Sequence, residues 1–327
     1  MRIAVTGSIA TDHLMTFPGL FGEQLLADRL DRVSLSFLAD NLEVRRGGVA
    51  ANIAFGLGVL GLRPVLVGAV GADFEPYRVW LKDHGVDTDA VRVSETLHTA
   101  RFVCTTDRDQ NQIATFYAGA MAEARAIDLR EVAARTGRPA LVLVSPDDPE
   151  AMLRHTRACR DLGIPFAADP SQQLARLDGD QVRELVDGAR FLFTNEYETA
   201  LLLEKTGWTE AEVLRRTAAW VTTHGAAGVR IRGAGRDRLA VPAVPVPRVV
   251  DPTGVGDAFR AGFLAATLWG VPERCAAQLG CAVAATVLDS VGTQEYRLRR
   301  EPLLDRIRTA YGVGCAAALV PHLRGLT

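Results

Sequence analysis

The chain has 327 residues, 48% of them hydrophobic and 23% charged, with 37 basic residues against 39 acidic ones and a net charge of −2. This is the composition of an ordered globular protein, long enough for one large α/β domain, with no basic excess to hold a nucleic acid. Lys82 and Lys205 are the only lysines and neither follows a glycine, so a Walker-type phosphate loop is excluded.

Short apolar runs alternate with helix-length segments along the chain. Ile3-Ala4-Val5 ends at Thr6-Gly7-Ser8, and the apolar start from Met1 to Ile9 is too short for a signal peptide. Asp12 to Gly47 has no helical period. A helical segment then opens at Gly48-Val49 and contains Gly56-Leu-Gly58-Val-Leu-Gly61, a letter-for-letter dinucleotide fingerprint. That fingerprint works only directly after a strand and at a helix start. Here the glycines fall near the helix end, where close packing and a C-cap account for them better, so an NAD enzyme is the weakest reading. Val65–Val67 ends at Gly68. Arg101 to Ala118 alternates as a hairpin does, with Phe102, Cys104 and Thr106 sharing a face, then Gln112, Ala114 and Phe116, about a turn composition from Asp107 to Asn111. Glu123 to Arg135 has the composition of a helix. The runs Leu141–Val144, Phe166–Ala168, Phe191–Phe193 and Trp220–Val221 follow, ending at Ser145-Pro146, Asp169-Pro170, Thr194-Asn195 and Thr222-Thr223.

Runs that are apolar throughout indicate buried parallel strands with helices on both faces. The expected fold is α/β, a doubly wound, mostly parallel sheet in a single domain of residues 1–327. The stretches 12–47 and 99–118 are expected to form a small β lid inserted within it; ordinary surface excursions are the alternative. The polar strand ends matter because open α/β sheets bind ligands beyond the carboxyl ends of their strands. Cys104, Cys159, Cys275, Cys281 and Cys315 are scattered without a C-x-x-C pair, which reads as reduced, buried thiols in a cytoplasmic protein. No apolar stretch reaches the roughly 18 residues of a membrane helix, so no membrane partner is expected.

The segment carrying the most chemistry is Asp251-Pro-Thr-Gly-Val-Gly-Asp257-Ala-Phe259, between a β-like run, Pro247 to Val250, and a helical pattern, Ala258 to Trp269. Gly254 and Gly256 allow a tight turn, so that the N–H groups of Gly254, Val255, Gly256 and Asp257 converge at the helix start and suit a phosphate. Asp257 stands beside that site. A carboxylate there repels phosphate unless it has a task. The task that fits is taking a proton from an attacking hydroxyl while the amides hold the transferring phosphoryl group. The plainer alternative is a helix N-cap after a glycine turn.

Asp251-x-Thr253-Gly254-x-Gly256-Asp257 resembles the C-terminal signature of the ribokinase-like (PfkB) family of sugar and nucleoside kinases. Gly47-Gly48-Val-Ala-Ala-Asn52 resembles its N-terminal signature. Asp12, Asn195-x-x-Glu198 and Thr223-x-Gly225-x-x-Gly228 follow in family order, so the resemblance covers essentially the whole chain. Pro252, Val255 and His224 depart from the usual residues. The resemblance implies a ribokinase-like fold and these roles: Asp12 on two ribose hydroxyls, with Asn52 and the Gly47-Gly48 backbone on the other side of the sugar; Asn195 and Glu198 near Mg²⁺ and the ATP phosphates, Glu198 through water; and Thr223, Gly225, Gly228 and Gly256 along the nucleotide phosphates. It also implies K⁺ near Asp251, Ser290 and Gly292, and a homodimer through the lid. A capping box accounts for Asn195 and Glu198 as well, and a strand-end turn for Asp12.

Within the family, five stretches resemble the actinobacterial adenosine kinases: Met1–Leu14, Val33–Phe37, Thr99–Phe102, Asp169–Arg176 and Asp251–Phe263. That implies adenosine as acceptor and ATP as donor, giving AMP and ADP in purine salvage. Phe102 and Phe116 lie symmetrically about Asp109, so a simple hairpin sets them opposite each other, where a purine could stack or where they could merely stabilise the hairpin. Gln172 and Gln173 carry amides suited to a purine edge, Ser8 and Ser36 add hydroxyls, and Arg176 approaches the base or closes the site. A kinase of ribose or another nucleoside is the alternative enzyme. A catalytically silent ligand-binding protein of this fold is the alternative of another class, and the intact Asp257, Gly254 and Gly256 count against it.

Overall fold

The computed structural model describes residues 2–24, 35–235 and 237–326. The strands in chain order are β1 (Ile3–Thr6), β2 (Ala10–Thr16), β3 (Asn41–Gly47), β4 (Val65–Val67), β5 (Ala69–Val70), β6 (Arg92–Val93), β7 (Ala100–Thr106), β8 (Gln112–Tyr117), β9 (Leu141–Val144), β10 (Phe166–Ala168), β11 (Phe191–Asn195), β12 (Ala219–Thr223), β13 (Val229–Arg232) and β14 (Leu239–Val241). Eight of them form one sheet in the order β14-β13-β12-β11-β10-β9-β1-β4. It is parallel from β4 to β12 and turns antiparallel at β13 and β14.

Period-two alternation divides each strand between two cores. Ile3, Val5, Leu141, Leu143, Phe191, Phe193 and Val221 enter the core beneath the helices Val49–Val59, Val255–Leu268 and Glu273–Leu288. Ala4, Val142, Val144, Phe166, Leu192 and Trp220 enter the other, beneath Pro149–Asp161, Gly179–Val186 and Glu196–Thr206. This is the mostly parallel α/β architecture expected from the uninterrupted apolar runs, and it is the ribokinase-like fold that the resemblance implies.

Glycine brings the first three helices close. A Cβ on Gly56 would lie 2.7 Å from Ala261 Cβ, and one on Gly262 would lie 2.9 Å from Gly280 Cα. The false dinucleotide fingerprint is thus a packing surface that ends in a left-handed Gly61.

A second sheet of four strands, ordered β3-β2-β7-β8, stands apart from the first. Its hairpin register pairs Phe102 with Phe116, as the spacing about Asp109 predicts. Residues 25–34 of the 12–47 stretch, with Val33 and Ser34, lie outside the described residues.

Three expectations are corrected. Pro247 to Val250 is not a strand; Pro242, Pro245 and Pro247 remove the backbone donors a ladder needs. Glu123 to Arg135 is not one helix but a 3₁₀ segment, Gly119–Ala126, and a helix, Leu129–Thr136, restarted by the cap at Asp128. Cys275 and Cys315 are not free thiols: the structure joins them as a disulfide, Cα to Cα 5.3 Å, because Glu273–Leu288 packs against Val313–Leu319. Cys104, Cys159 and Cys281 are free and buried, as expected.

The helix contact at Gly262 is testable against a glycine with open surroundings. Gly262→Ala should lower stability by roughly 1–3 kcal/mol through overpacking. Gly314→Ala, where a Cβ meets nothing within 4 Å, should raise it by roughly 0.4–1 kcal/mol. Denaturant midpoints at constant slope provide the comparison.

Candidate active site

A cleft of ≈ 500 Å³ opens beyond the carboxyl ends of the central strands, between them and the four-stranded sheet, a size typical of small-molecule sites. Of the residues expected from sequence, Ser8, Asp12, Gly48, Asn52, Phe102, Phe116, Gln172, Gln173, Arg176, Gly254 and Asp257 line it.

One wall comes from the small sheet. Asp12 on β2 sits opposite Arg45 on β3 and Phe102 on β7, and Phe102 sits opposite Phe116 on β8. Directly paired residues share a face, so the carboxylate and both rings look the same way. Among the described residues neither ring stacks on another aromatic, and both line the cleft. Burial pushes Asp12 up to about 6, helped by Glu295 and Asp251 and opposed by Arg45.

The opposite wall carries Gln173, only 6% exposed, whose Oε1 is buried without a hydrogen-bond partner. Gln172 and Arg176 are exposed at the rim. Gly48 has φ +93, and a Cβ there would lie 2.6 Å from Ala10 N and Ser8 O, so only glycine fits. Gly47 does not line the cleft but stands behind Asp12, 2.8 Å from Oδ2 at the position of a Cβ. Ser8 is occupied structurally, its Oγ accepting the Val49 N–H at 3.0 Å. Ser36 is corrected: it is exposed and does not line the cleft, its neighbour Phe37 being held against Phe17 and Phe21.

At the floor lies the start of the 255–268 helix. Gly254 is its N-cap, left-handed at φ 75, and a Cβ there would strike Thr293 at 2.8 Å. Gly256 has no positive φ, so the left-handed turn rests on Gly254 alone, but a Cβ on Gly256 would lie 2.9 Å from Nη1 of the buried Arg260. The N–H groups of Gly256 and Asp257 belong to the first turn, where the helix supplies no acceptors. Val255 is half spent, its N–H lying 3.4 Å from Pro252 O.

Asp257 is in the first turn but is not the cap. Its Oδ2 instead accepts the Nδ2–H of Asn52 at 2.9 Å. Burial pushes its carboxyl up to about 7; the Asn52 bond and the nearby Arg260 pull it down, and Asp169 pushes it up. Arg260 donates to Asp169 at 2.6 Å and to Gly256 O at 3.0 Å. Sequence reasoning missed Arg260 and the role of Asp169. The signal was present: an arginine inside the apolar run Ala258–Ala266 needs a buried anion.

The remaining expected residues lie outside the cleft, at the ends of β11 and β12. Asn195 and Thr223 are direct neighbours in register. Asn195 and Glu198 form a complete capping box. Glu198 also accepts from Ser171 at 3.2 Å, which ties this group to the loop bearing Gln172 and Gln173. Gly225 opens a 3₁₀ turn, and Gly228 closes it at φ 91.

Glu198 fits a water-mediated Mg²⁺ role: after its two bonds the carboxylate retains lone pairs. The K⁺ expectation does not fit these atoms. Asp251 and Gly292 do meet, but through the Gly292 N–H donated to Asp251 at 2.9 Å, and the Ser290 hydroxyl turns back to Val287 O. Arg45 already supplies a cation 3.6 Å from Asp251. Among the described residues no group of three His, Cys, Asp or Glu side chains could hold a metal, and no helix is long and apolar enough to cross a membrane.

A buried carboxyl beside helix-start amides, at the base of a ligand-sized cleft, has the chemistry that phosphotransfer needs. Comparison with known proteins agrees. The model of the pfkB family carbohydrate kinases matches residues 10–299, and the chain belongs to that family, whose members phosphorylate a hydroxyl acceptor. It is 33% identical over 252 residues to the nucleoside kinase of Methanothermobacter thermautotrophicus, covering 76% of this chain and 80% of that one. It is 30% identical over 250 residues to the nucleoside kinase of Methanocaldococcus jannaschii, with the same coverage. The structure of Burkholderia thailandensis nucleoside kinase in complex with inosine superposes with a TM-score of 0.83 at 35% identity, covering 95% of this chain and 99% of that one.

The raised carboxyl of Asp257 carries a stability consequence independent of activity. Its folded value lies above the unfolded value of about 4, so between the two the folded state holds a proton the unfolded state has lost. This group's contribution therefore falls as pH rises toward about 7. Asp257→Asn removes that loss. The stability gained by the variant over the native protein should grow by roughly 1–3 kcal/mol between pH 5 and pH 8, measured by thermal unfolding of both at each pH.

Proposed function

We propose that the protein is an ATP-dependent adenosine kinase that phosphorylates the 5′-hydroxyl of adenosine, giving AMP and ADP in cytoplasmic purine salvage. The observation that carries this reading is the content of one cleft: Asp12 and Asn52 for a sugar, two unstacked rings and an unpartnered buried amide oxygen for a base, and Asp257 at the floor. A sugar alone needs neither the rings nor the amide. Gln173 Oε1 is an acceptor that an exocyclic amine satisfies, and adenine carries one.

The chain's own groups then divide the work. Asp12 accepts hydrogen bonds from the ribose diol, with Asn52 and the Gly47-Gly48 backbone on the sugar's other side. Phe102 and Phe116 bracket the purine, Gln172, Gln173 and Arg176 approach its edge, and Ser8 lines the cleft while its Oγ holds the Val49 N–H. Asp257 takes the proton of the 5′-hydroxyl as that oxygen bonds to the γ-phosphorus and the bond to the ADP oxygen breaks. The amides of Gly254, Val255, Gly256 and Asp257 face the charge on the transferring group. Asn195, Thr223, Gly225 and Gly228 flank the nucleotide phosphates. Glu198 would hold Mg²⁺ through water, and the ion would neutralise charge on those phosphates.

The four-stranded sheet acts as the lid of a single kinase domain. Its outer face, with Leu42, Val44 and Ile113 exposed at 57%, 57% and 45%, is the surface through which two copies pair. A second reading, a kinase of broader purine nucleoside range, is favoured by the inosine bound to the Burkholderia relative.

Release of ADP from Mg-ATP should be fastest with adenosine among adenosine, inosine, guanosine, ribose and fructose 6-phosphate. Ribose as the preferred acceptor would overturn the reading. Asp257→Asn should lower kcat by roughly 10²–10⁴ with adenosine still bound, and normal turnover would remove Asp257 from its role. Phe102→Ala should weaken adenosine binding by roughly 1–3 kcal/mol and leave any ribose activity unchanged. A ring that only stabilises the hairpin would lower both alike.

A further inference from the structure

A chain of buried amide and hydroxyl groups runs behind the cleft and ends on Asp257. Trp80, on the helix Glu75–Asp83, donates its indole N–H to Gln294 Oε1 at 3.1 Å. Gln294 Nε2 donates to Asn52 Oδ1 at 2.9 Å and to the Tyr77 hydroxyl. Tyr77 donates to Gly47 O at 3.0 Å. Asn52 Nδ2 completes the chain on Asp257 Oδ2. Gln294, Tyr77 and Asn52 are 1%, 5% and 6% exposed, so water cannot replace a lost partner.

The direction of this chain is forced from both ends. An indole N–H only donates, so Gln294 must turn its oxygen to Trp80 and its NH₂ away. A peptide carbonyl only accepts, so Tyr77 must donate to Gly47 and accept from Gln294. Both ends therefore assign Gln294 the same orientation. With its NH₂ facing Asn52, the Asn52 oxygen must face Gln294 and the Asn52 NH₂ must face Asp257. A turned Asn52 would set oxygen against carboxylate and NH₂ against NH₂. The Thr293 hydroxyl, 2.9 Å from Asn52 Oδ1 and 3.0 Å from Arg46 O, has one hydrogen for two acceptors, so the sense is set by Trp80 and Tyr77 and not by Thr293. Trp80 is itself clamped, with the Arg46 guanidinium 4.1 Å over its ring and Phe55 stacked at 6.0 Å.

We propose that Gln294, oriented by Trp80, is a positioning residue for phosphotransfer: it fixes the amide sense of Asn52 and so keeps an N–H donated to Asp257. The proposal rests on Asp257 as the proton acceptor. Without that donor the ionised carboxylate loses support, and a higher pH is needed to populate it. The other groups facing Asp257, the guanidinium of Arg260, the carboxylate of Asp169 and the buried hydroxyl of Tyr296, stay in place.

The test is the pH dependence of kcat with saturating Mg-ATP and adenosine for the native protein, Gln294→Leu, Gln294→Glu and Trp80→Phe, with thermal unfolding of each. The native acid limb should lie near pH 7. Gln294→Leu should move it up by roughly 0.5–1 unit, about a three- to tenfold loss of rate on that limb that recovers at high pH. Gln294→Glu, which turns an acceptor toward Asn52, should move it further, and Trp80→Phe less, in the same direction. A uniform loss of kcat with the limb unmoved in folded variants would overturn the proposal and leave Gln294 a packing residue. Should the Gln294 variants fail to fold, the Trp80→Phe limb decides alone. Normal turnover of Asp257→Asn would instead mark failure of the underlying reading.

Discussion

The hydrogen bond between the Asn52 amide and the Asp257 carboxylate is the contact on which the site depends. It joins two helices whose residues lie 205 positions apart in sequence. It is also what supports a negative charge where burial disfavours one. Both helices must approach closely for the bond to form, and glycine makes the approach possible. Gly56 faces Ala261, and Gly262 faces Gly280, at distances that no side chain tolerates. Packing in the core thus sets the geometry of the chemistry above it.

The electrostatics follow the same logic. The carboxyl of Asp257 is set by four influences, burial and the Asp169 charge raising it, the Asn52 hydrogen bond and the Arg260 charge lowering it. A carboxyl poised near the working pH is what proton acceptance requires, since a stronger acid would hold a proton too weakly to help. Arg260 carries a second duty: it binds Gly256 O and Asp169 together, which fixes the first turn of the helix against the end of β10. The same guanidinium therefore shapes the amide site and tunes the acid beside it.

Much of this was legible in the residues. Uninterrupted apolar runs gave the parallel strands because a strand buried on both faces has no polar side to show. The symmetric spacing of Phe102 and Phe116 about Asp109 placed them opposite each other because hairpin register is arithmetic. What stayed hidden depends on tertiary contact. Thr293 and Gln294 follow the helix Glu273–Leu288 in an irregular segment with no period, and only the fold carries them to Asn52. Cys275 and Cys315 are separated by 40 residues and meet only because their helices pack. Pro247 to Val250 misled through composition: valines favour strands, but the surrounding prolines remove the donors. Gly254 and Gly256 looked equivalent in sequence, and only backbone angles show that the left-handed turn falls on Gly254.

The fold buries the Asp257 carboxyl and so raises it to about 7. Infrared difference spectroscopy between the native protein and Asp257→Asn isolates that one group. A protonated carboxyl band should disappear as pH rises, with a midpoint near pH 7. A midpoint in the ordinary carboxylate range of about 4 would contradict it.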